Sequence, residues 1–410
     1  MHPDFYRRPD ELRCRLPNIA ALAAAGASAD AMESVYPSTT YPAHATLVTG
    51  VPPRMHGIYS HLSSLDPTER ARPWHWFAQA IRVPALWSVA RARGLKTAAV
   101  SWPVSAGAPI DLNLPEIWDP AVPDPHHDFR TVAQHATPGL FEELATALRF
   151  SPDQAGPDRM RGEAALHLWK AHRPHLLLVH FVGYDQQAHH WGPRSREAIA
   201  ALEEVDHEVG RLREAPCGDD SVTFVVLSDH GFLPVEKEVA PLVILREEGL
   251  FGSNGEGKPQ LRHLGAVEAG GSFAVFWVET PTAAEQCALA RALERLRATG
   301  AVGEVVDRLE LESLGSDPDA EWMLDAAPGF GFSDRFEGPV INSSALDRGT
   351  HGHLPARDGM EASFIIAGPG VAPGKSLGRI QLTDVTPTLA ERLGMPADAL
   401  ASDAKPLNLG

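Results

Sequence analysis

Cysteine is scarce in this 410-residue chain: Cys14, Cys217 and Cys287 are three in all, far apart and odd in number. They form neither a CxxC ligand pair nor a disulfide framework, and they suit a reducing compartment, so the sequence predicts a cytoplasmic location. Basic charge is also in short supply. Lysine and arginine number 36 against 53 aspartates and glutamates, a net charge of −17. That argues against a nucleic acid polymer as partner, because phosphate-backbone affinity needs a basic footprint. A small phosphorylated substrate is not excluded, since a bound metal reverses the local field. No run of about 18 apolar residues is present to span a membrane. The opening segment, MHPDFYRRPDELRCRLPN, has no apolar stretch of the signal-peptide kind. Repeats and low-complexity tracts are missing too.

What remains is an ordinary folded composition, 44% hydrophobic and 22% charged. The length suits one large α/β domain with an insertion, or two domains. Short apolar runs read as buried strands: TAAVSW (97–102), HLLLVHFVGY (175–184), VTFVVLSD (222–229), FAVFWV (273–278) and ASFIIAG (362–368). Segments with helical spacing alternate with them, at 83–94, 139–150, 161–172, 195–214 and 283–300. This rhythm predicts a mostly parallel central sheet with helices on both faces. The stretch 237–332 interrupts it and is expected to form a small inserted cap subdomain, leaving 1–236 and 333–410 as the core. The Pro- and Asp-rich segment 103–138 is an alternative source of a lid. The chain opens on polar residues rather than on a buried strand, and its first helical stretch is expected over Asn18 to Ala31.

Chemistry-bearing residues cluster where strands end. In YDQQAHHWGP, Asp185 and His189 are four apart, so a helical turn puts a carboxylate and an imidazole on one face. That mixed oxygen–nitrogen pair suits zinc or manganese. In VVLSDHGF, Asp229 and His230 follow a very apolar strand, and burying such an aspartate is costly unless a cation or hydrogen bonds meet it. GTHGHLPAR adds His351, with Gly352 allowing a close backbone approach and His353 read as a neighbour rather than a ligand. Open α/β sheets gather the carboxyl ends of their strands at one crevice. Two aspartates and three histidines there suffice for a metal site, but are one carboxylate short of two ions with three protein ligands each. Near the start, YPSTTYPAHATLVTG sets Thr39 and Thr40 between Pro37 and Pro42. Ser38 and Thr39 read as loop hydroxyls, His44 as either a site residue or a satisfied histidine, and His190 as a surface group. Trp102 and Trp118 read as packing or pocket residues, and Asp206 needs no catalytic role.

YPSTTYPAHATLVTGVPPRMHGI, YDQQAHHWGP, LSDHG and GTHGH together resemble, in order and spacing, the signatures of the alkaline phosphatase superfamily. They look most like those of its nucleotide pyrophosphatase/phosphodiesterase family. The resemblance implies an alkaline-phosphatase-like α/β core. It implies Thr40 as the nucleophile of a metal-dependent phosphoric diester or pyrophosphate hydrolase, acting through a covalent phospho-threonine. It further implies two divalent ions, zinc or alternatively manganese, one held by Asp185, His189 and His351 and the other by Asp229 and His230 beside Thr40. His61 stands where the family has an asparagine that donates to a phosphate oxygen, and Ala43 also replaces a common asparagine. Monoesters, phosphonates and sulfate esters therefore stay open as alternatives to a diester or nucleotide. The family's sixth ligand is an aspartate in a strand–Asp–Gly motif just ahead of a segment like HPDFY, and no such motif precedes Met1. Either a first strand lies upstream of this start, or the chain is a shortened metal-binding protein with an impaired second site.

Overall fold

The protein's structure, a computed structural model, describes all residues except 70–71, 120–121, 123–128, 149–157, 217–218, 220, 256 and 344–346, and the side chains of Phe129 and Ala397. Cys217, the end of the helical stretch 139–150 and the middle of the lid candidate 103–138 lie outside the described residues.

Helix α1 (Pro17–Ala25) begins on a proline, whose missing N–H costs nothing at a first helical position. It stops at Ala25 rather than running to Ala31, because the chain turns into β1 (Ala27–Ser28). A Cβ added at Gly26 would lie 2.1 Å from the Ile366 carbonyl oxygen, so only glycine passes this close to the partner strand. There follow α2 (Thr40–Thr49), β2 (Thr97–Val100), β3 (Leu112–Leu114), α3 (Leu140–Leu148), α4 (Asp158–His172) and β4 (Leu176–Val179). After these come α5 (Gly183–Trp191), α6 (Arg196–Glu214) and β5 (Phe224–Leu227). Within 237–332 lie β6 (Leu264–Glu268), β7 (Ser272–Trp277), α7 (Ala283–Ala298), β8 (Val302–Asp307) and β9 (Ala320–Ala326). The chain closes with β10 (Phe364–Ala367) and α8 (Val385–Arg392).

The sheets are mixed. Strands β3, β2 and β4 are parallel, with Ala98 opposite both Leu112 and Leu177. Strand β10 runs antiparallel to β1 and to β5, with Ile366 opposite Ala27 and Val225. An apolar run such as ASFIIAG records burial on both faces but not direction. The main core packs Met32, Leu86, Trp87, Phe364 and Ile366 around these strands. The inserted stretch builds an antiparallel sheet in the order β6–β7–β9–β8. One face packs a cluster of its own, with Phe273, Val275, Leu289, Leu296 and Leu324, while Val267, Ala274, Phe276 and Met323 on the other pack with Tyr36 and Leu62.

Strands β4 and β5 are each the last strand of their sheet, and among the described residues neither has a partner on its other edge. Both end at the same place, since β4 leads to Asp185 and β5 to Asp229. Between them lies a cavity of about 1510 Å³, lined by consecutive residues Leu176–Val182 and Val222–Asp229. A sheet face would contribute every second residue; consecutive lining means that the strand edges look into the space. Ile19, Leu202 and Val205 on one side and Leu47, Val385 and Leu389 on the other make it an apolar slot. Met1 stands at its open end, its amino group donating to the His230 carbonyl at 3.3 Å and its own carbonyl accepting from Ser228 Oγ and Ser363 Oγ.

Fully buried His56 sets a pH limit on this core. Its Nδ1 accepts from the Ile58 N–H at 3.1 Å and its Nε2 meets Thr46 Oγ1 at 3.0 Å, an arrangement for the neutral ring. Burial pushes its pKa down to about 3 from 6.5. Between those values the unfolded chain binds a proton that the folded one refuses, so stability falls as pH falls. From this residue alone the loss between pH 7 and pH 5 is about 2 kcal/mol. Urea unfolding at both pH values should show a smaller drop for His56→Gln than for the wild type; equal drops would remove His56 from the account.

Candidate active site

Helix α2 places Thr40 at its first position. Thr39 is the extended N-cap, and Pro42 falls within the first turn, where helix N–H groups have no intrahelical acceptor. The end is equally well marked: Gly50 takes φ +72° and donates to the Thr46 carbonyl at 2.8 Å. The YPSTT loop is tied to the GTHGH loop by Gly352 N–H to the Ser38 carbonyl (2.9 Å) and Ser38 Oγ to the His353 carbonyl (2.8 Å). Gly352 has φ +93°, and a Cβ there would sit 2.0 Å from the Ala269 carbonyl oxygen. The close approach expected of this glycine is thus to backbone, and it brings His351 in beside Thr40.

Asp185 and His189 project from α5 one turn apart, with His189 Nε2 3.6 Å from Asp185 Oδ2. The start of that helix is held by Asp158, whose carboxylate accepts from Val182 N–H (2.9 Å) and Gly183 N–H (2.7 Å) and is braced by Arg161 Nη1 at 2.7 Å. Asp229 and His230 follow β5 after Ser228. His230 Nδ1 donates to the Gly231 carbonyl at 2.9 Å, which turns Nε2 toward the site. That nitrogen is 3.2 Å from Asp229 Oδ2 and 3.4 Å from Thr40 Oγ1. His351 Nε2 lies 3.7 Å from Asp185 Oδ1, and its ring stacks on His230 with centroids 4.0 Å apart. Thr40, His61, Asp185, His189, Asp229, His230 and His351 all line the single cavity. The grouping differs in one respect from the expected two sets. The tightest trio is Asp185, His230 and His351, whose donor atoms all lie within 4.8 Å of one another. His230 therefore reaches across toward the other set.

These residues suit cations. Carboxylate and imidazole atoms 3.6–3.7 Å apart are too far for hydrogen bonds. The spacing is near the separation of about 3.3 Å between ligand atoms around a tetrahedral zinc. Of the other ring nitrogens, His189 Nδ1 has Asp347 Oδ2 at 3.6 Å and His351 Nδ1 is buried without a hydrogen bond. Burial, and then the neighbouring His230 and His189 rings, hold His351 neutral, its pKa pushed well down. Burial opposes a charge on Asp229, yet His230 and His44 keep it well below the usual carboxylate range.

Other residues surround the site, and three of them, Tyr41, Glu116 and His180, were not singled out in the sequence. His44, one turn after Thr40, places Nδ1 2.8 Å from the Thr40 carbonyl oxygen and 3.4 Å from Asp229 Oδ2. Its ring packs against Trp102 (4.9 Å) and His180 (4.4 Å). His180 Nδ1 meets Glu116 Oε2 at 3.0 Å, and Glu116 Oε1 accepts from Tyr41 at 3.0 Å. The spacing of Tyr41, Glu116 and His180 in the chain carries no signal; only the fold joins them. His61 lines the same cavity with its ring 4.6 Å from Trp74, and Trp74 lies 4.6 Å from Trp118. Burial, reinforced by Arg72, pushes the His61 pKa down to about 3, so near neutral pH it is an uncharged ring with one N–H to donate. His353 is turned away, its Nδ1 2.9 Å from Arg357, and His190 is exposed. Asp206 caps α1, accepting from Ile19 N–H at 2.8 Å and Asn18 N–H at 3.2 Å.

Comparison with known proteins gives the family. Residues 2–322 match the family model "Type I phosphodiesterase / nucleotide pyrophosphatase". The mouse ectonucleotide pyrophosphatase/phosphodiesterase family member 3 is 30% identical over 230 residues, 53% of this chain and 22% of that protein. The human family member 1 is 28% identical over 234 residues, 53% of this chain and 21% of that protein. Venom phosphodiesterase 2 of Crotalus adamanteus is 28% identical over 228 residues, 53% of this chain and 24% of that protein. The matched region thus spans about a fifth to a quarter of these relatives. Among solved structures, murine ectonucleotide pyrophosphatase/phosphodiesterase 5, as an inactive variant in complex with AMP, superposes with a TM-score of 0.66 at 18% identity. That alignment covers 96% of this chain and 92% of the other, a likeness of fold. No helix among the described residues is long and apolar enough to cross a membrane. With its α/β alkaline-phosphatase-like fold, the chain belongs to the type I phosphodiesterase/nucleotide pyrophosphatase family.

Proposed function

We propose that the protein hydrolyses phosphoric diesters or pyrophosphates, with Thr40 as the attacking group. The observation that carries this reading is Thr40 Oγ1 at a helix start, 3.4 Å from His230 and in the same cavity as Asp185, His189, Asp229 and His351. One divalent ion would be held by Asp185, His189 and His351 and a second by Asp229 and His230 with Thr40; their mixed oxygen and nitrogen donors suit zinc, with manganese as the alternative. Such ions supply Lewis-acid activation of the threonine hydroxyl and of the leaving oxygen. Thr40 Oγ forms a bond to phosphorus as the bond to the leaving alcohol or phosphate breaks, and its proton passes to water in the cavity. Water then cleaves the phospho-threonine, restoring the hydroxyl and releasing the phosphate product. Unpaired N–H groups in the first turn of α2 face the negative charge that develops on phosphorus-bound oxygen. Neutral His61 donates one hydrogen bond to a non-bridging oxygen. Small phosphate esters, nucleotides among them, are the proposed substrates.

His61 in place of an amide supports a second reading, a preference for monoesters or phosphonates. A substrate panel decides between them. The diester reading predicts kcat/KM for bis(p-nitrophenyl) phosphate above that for p-nitrophenyl phosphate, and the reverse order favours the second reading. In either case Thr40→Ala should lower turnover by at least about 10³-fold; a variant retaining wild-type turnover would remove Thr40 from the chemistry.

We further propose that the slot between β4 and β5 could receive a strand carrying the sixth ligand. An apolar strand laid in it, parallel to both neighbours and ending beside Met1, would bring its last side chain between Asp229 and Asp185. Fusing such a strand, ending in Asp–Gly, directly ahead of Met1 should tighten the weaker of the two zinc sites by at least about tenfold, measured by equilibrium dialysis. An unchanged affinity with the added strand protected from proteolysis would sink this part of the reading.

A further inference from the structure

Helices α3 and α4 carry a second group of metal-binding side chains. Glu143 on α3 and His167 and His172 on α4 place their donor atoms within 4.8 Å of one another. Glu143 Oε1 lies 2.6 Å from His167 Nε2 and 2.7 Å from His172 Nε2. The backbone beneath them is fixed by packing, since Leu140, Phe141 and Leu144 of α3 and Ala164, Ala165 and Leu168 of α4 share one buried cluster. The three side chains are about a quarter to two-fifths exposed, at 38% for Glu143, 23% for His167 and 26% for His172. None of them belongs to the lining of the Thr40 cavity.

We propose that Glu143, His167 and His172 form a peripheral zinc site that clamps α3 to α4. One carboxylate and two imidazoles on two helices are a three-ligand set that leaves a fourth position for water. The donors stand 2.6–2.7 Å apart, against about 3.3 Å around a tetrahedral zinc, so ligation asks the side chains to open by about 0.6 Å. Their exposure permits that movement while the packed helices keep the three aimed at one point. Zinc binding shifts the proton on each ring from Nε2 to Nδ1, because the present contacts need Nε2–H and ligation needs its lone pair. His172 is the last residue of α4, where the helix dipole favours a cation. A net charge of −17 adds to the attraction of divalent ions.

The alternative, a carboxylate merely hydrogen-bonded by two histidines, is separated by one double variant. His167→Gln/His172→Gln keeps amide donors for Glu143 but removes the imidazole ligands. Isothermal titration of the full chain with zinc chloride should show one ion fewer per chain in the variant. The rise in Tm that zinc gives the wild type should shrink with it, while diester turnover stays within about twofold. Glu143→Gln, a change at one surface carboxylate, should cost the same ion or weaken it by at least about tenfold. Identical zinc stoichiometry and affinity in the wild type and both variants would overturn the proposal. A wild-type titration accounted for entirely by the Thr40 cavity would overturn it equally.

Discussion

The feature on which the rest depends is a carboxylate kept ionised inside an apolar cavity. Asp229 stands at the end of β5, largely removed from water, and burial alone would neutralise it. Two imidazoles prevent that, His230 at 3.2 Å and His44 at 3.4 Å. Around this anion the chain assembles Asp185, His189 and His351, with donor atoms spaced too widely to satisfy one another and well enough to share cations. Thr40 takes its place in the set because α2 begins there and because His44, one turn on, bridges its carbonyl and the Asp229 carboxylate. Loop, helix and strand end are therefore one electrostatic unit.

Much of this was legible in the sequence. Asp185 and His189 had helical spacing, Asp229 and His230 followed an apolar strand, and Gly352 announced a tight passage beside His351. Thr39 and Thr40 stood together in a proline-framed loop, and the choice of Thr40 came from the resemblance to the family. The order of four motifs was specific enough to suggest the family before any contact was known. Each of these signals is local, written within ten residues or so.

The unread parts are those set by packing between distant segments. Tyr41, Glu116 and His180 meet only in the fold, as do Asp158 and the start of α5, and no periodicity joins them. The mixing of the two ligand sets through His230 follows from a ring turned by the Gly231 carbonyl, a rotamer that spacing cannot specify. The antiparallel course of β10 was hidden because an apolar run reports burial and not direction. The first helix looked longer than it is because alanine continues past Gly26, where contact with the Ile366 carbonyl forces extended chain. The apolar slot between β4 and β5 is likewise a property of two sheets ending side by side.

The proposed chemistry needs Thr40 to stand beside divalent cations held by Asp185, His189, Asp229, His230 and His351. Anomalous diffraction at the zinc edge, from crystals grown with zinc, tests it most directly. Anomalous density is expected in the cavity at about 2.0–2.2 Å from these carboxylate oxygens and imidazole nitrogens, with at least one peak against Thr40 Oγ1. A cavity free of anomalous density, with these residues ordered as found and zinc bound only elsewhere on the protein, would contradict it.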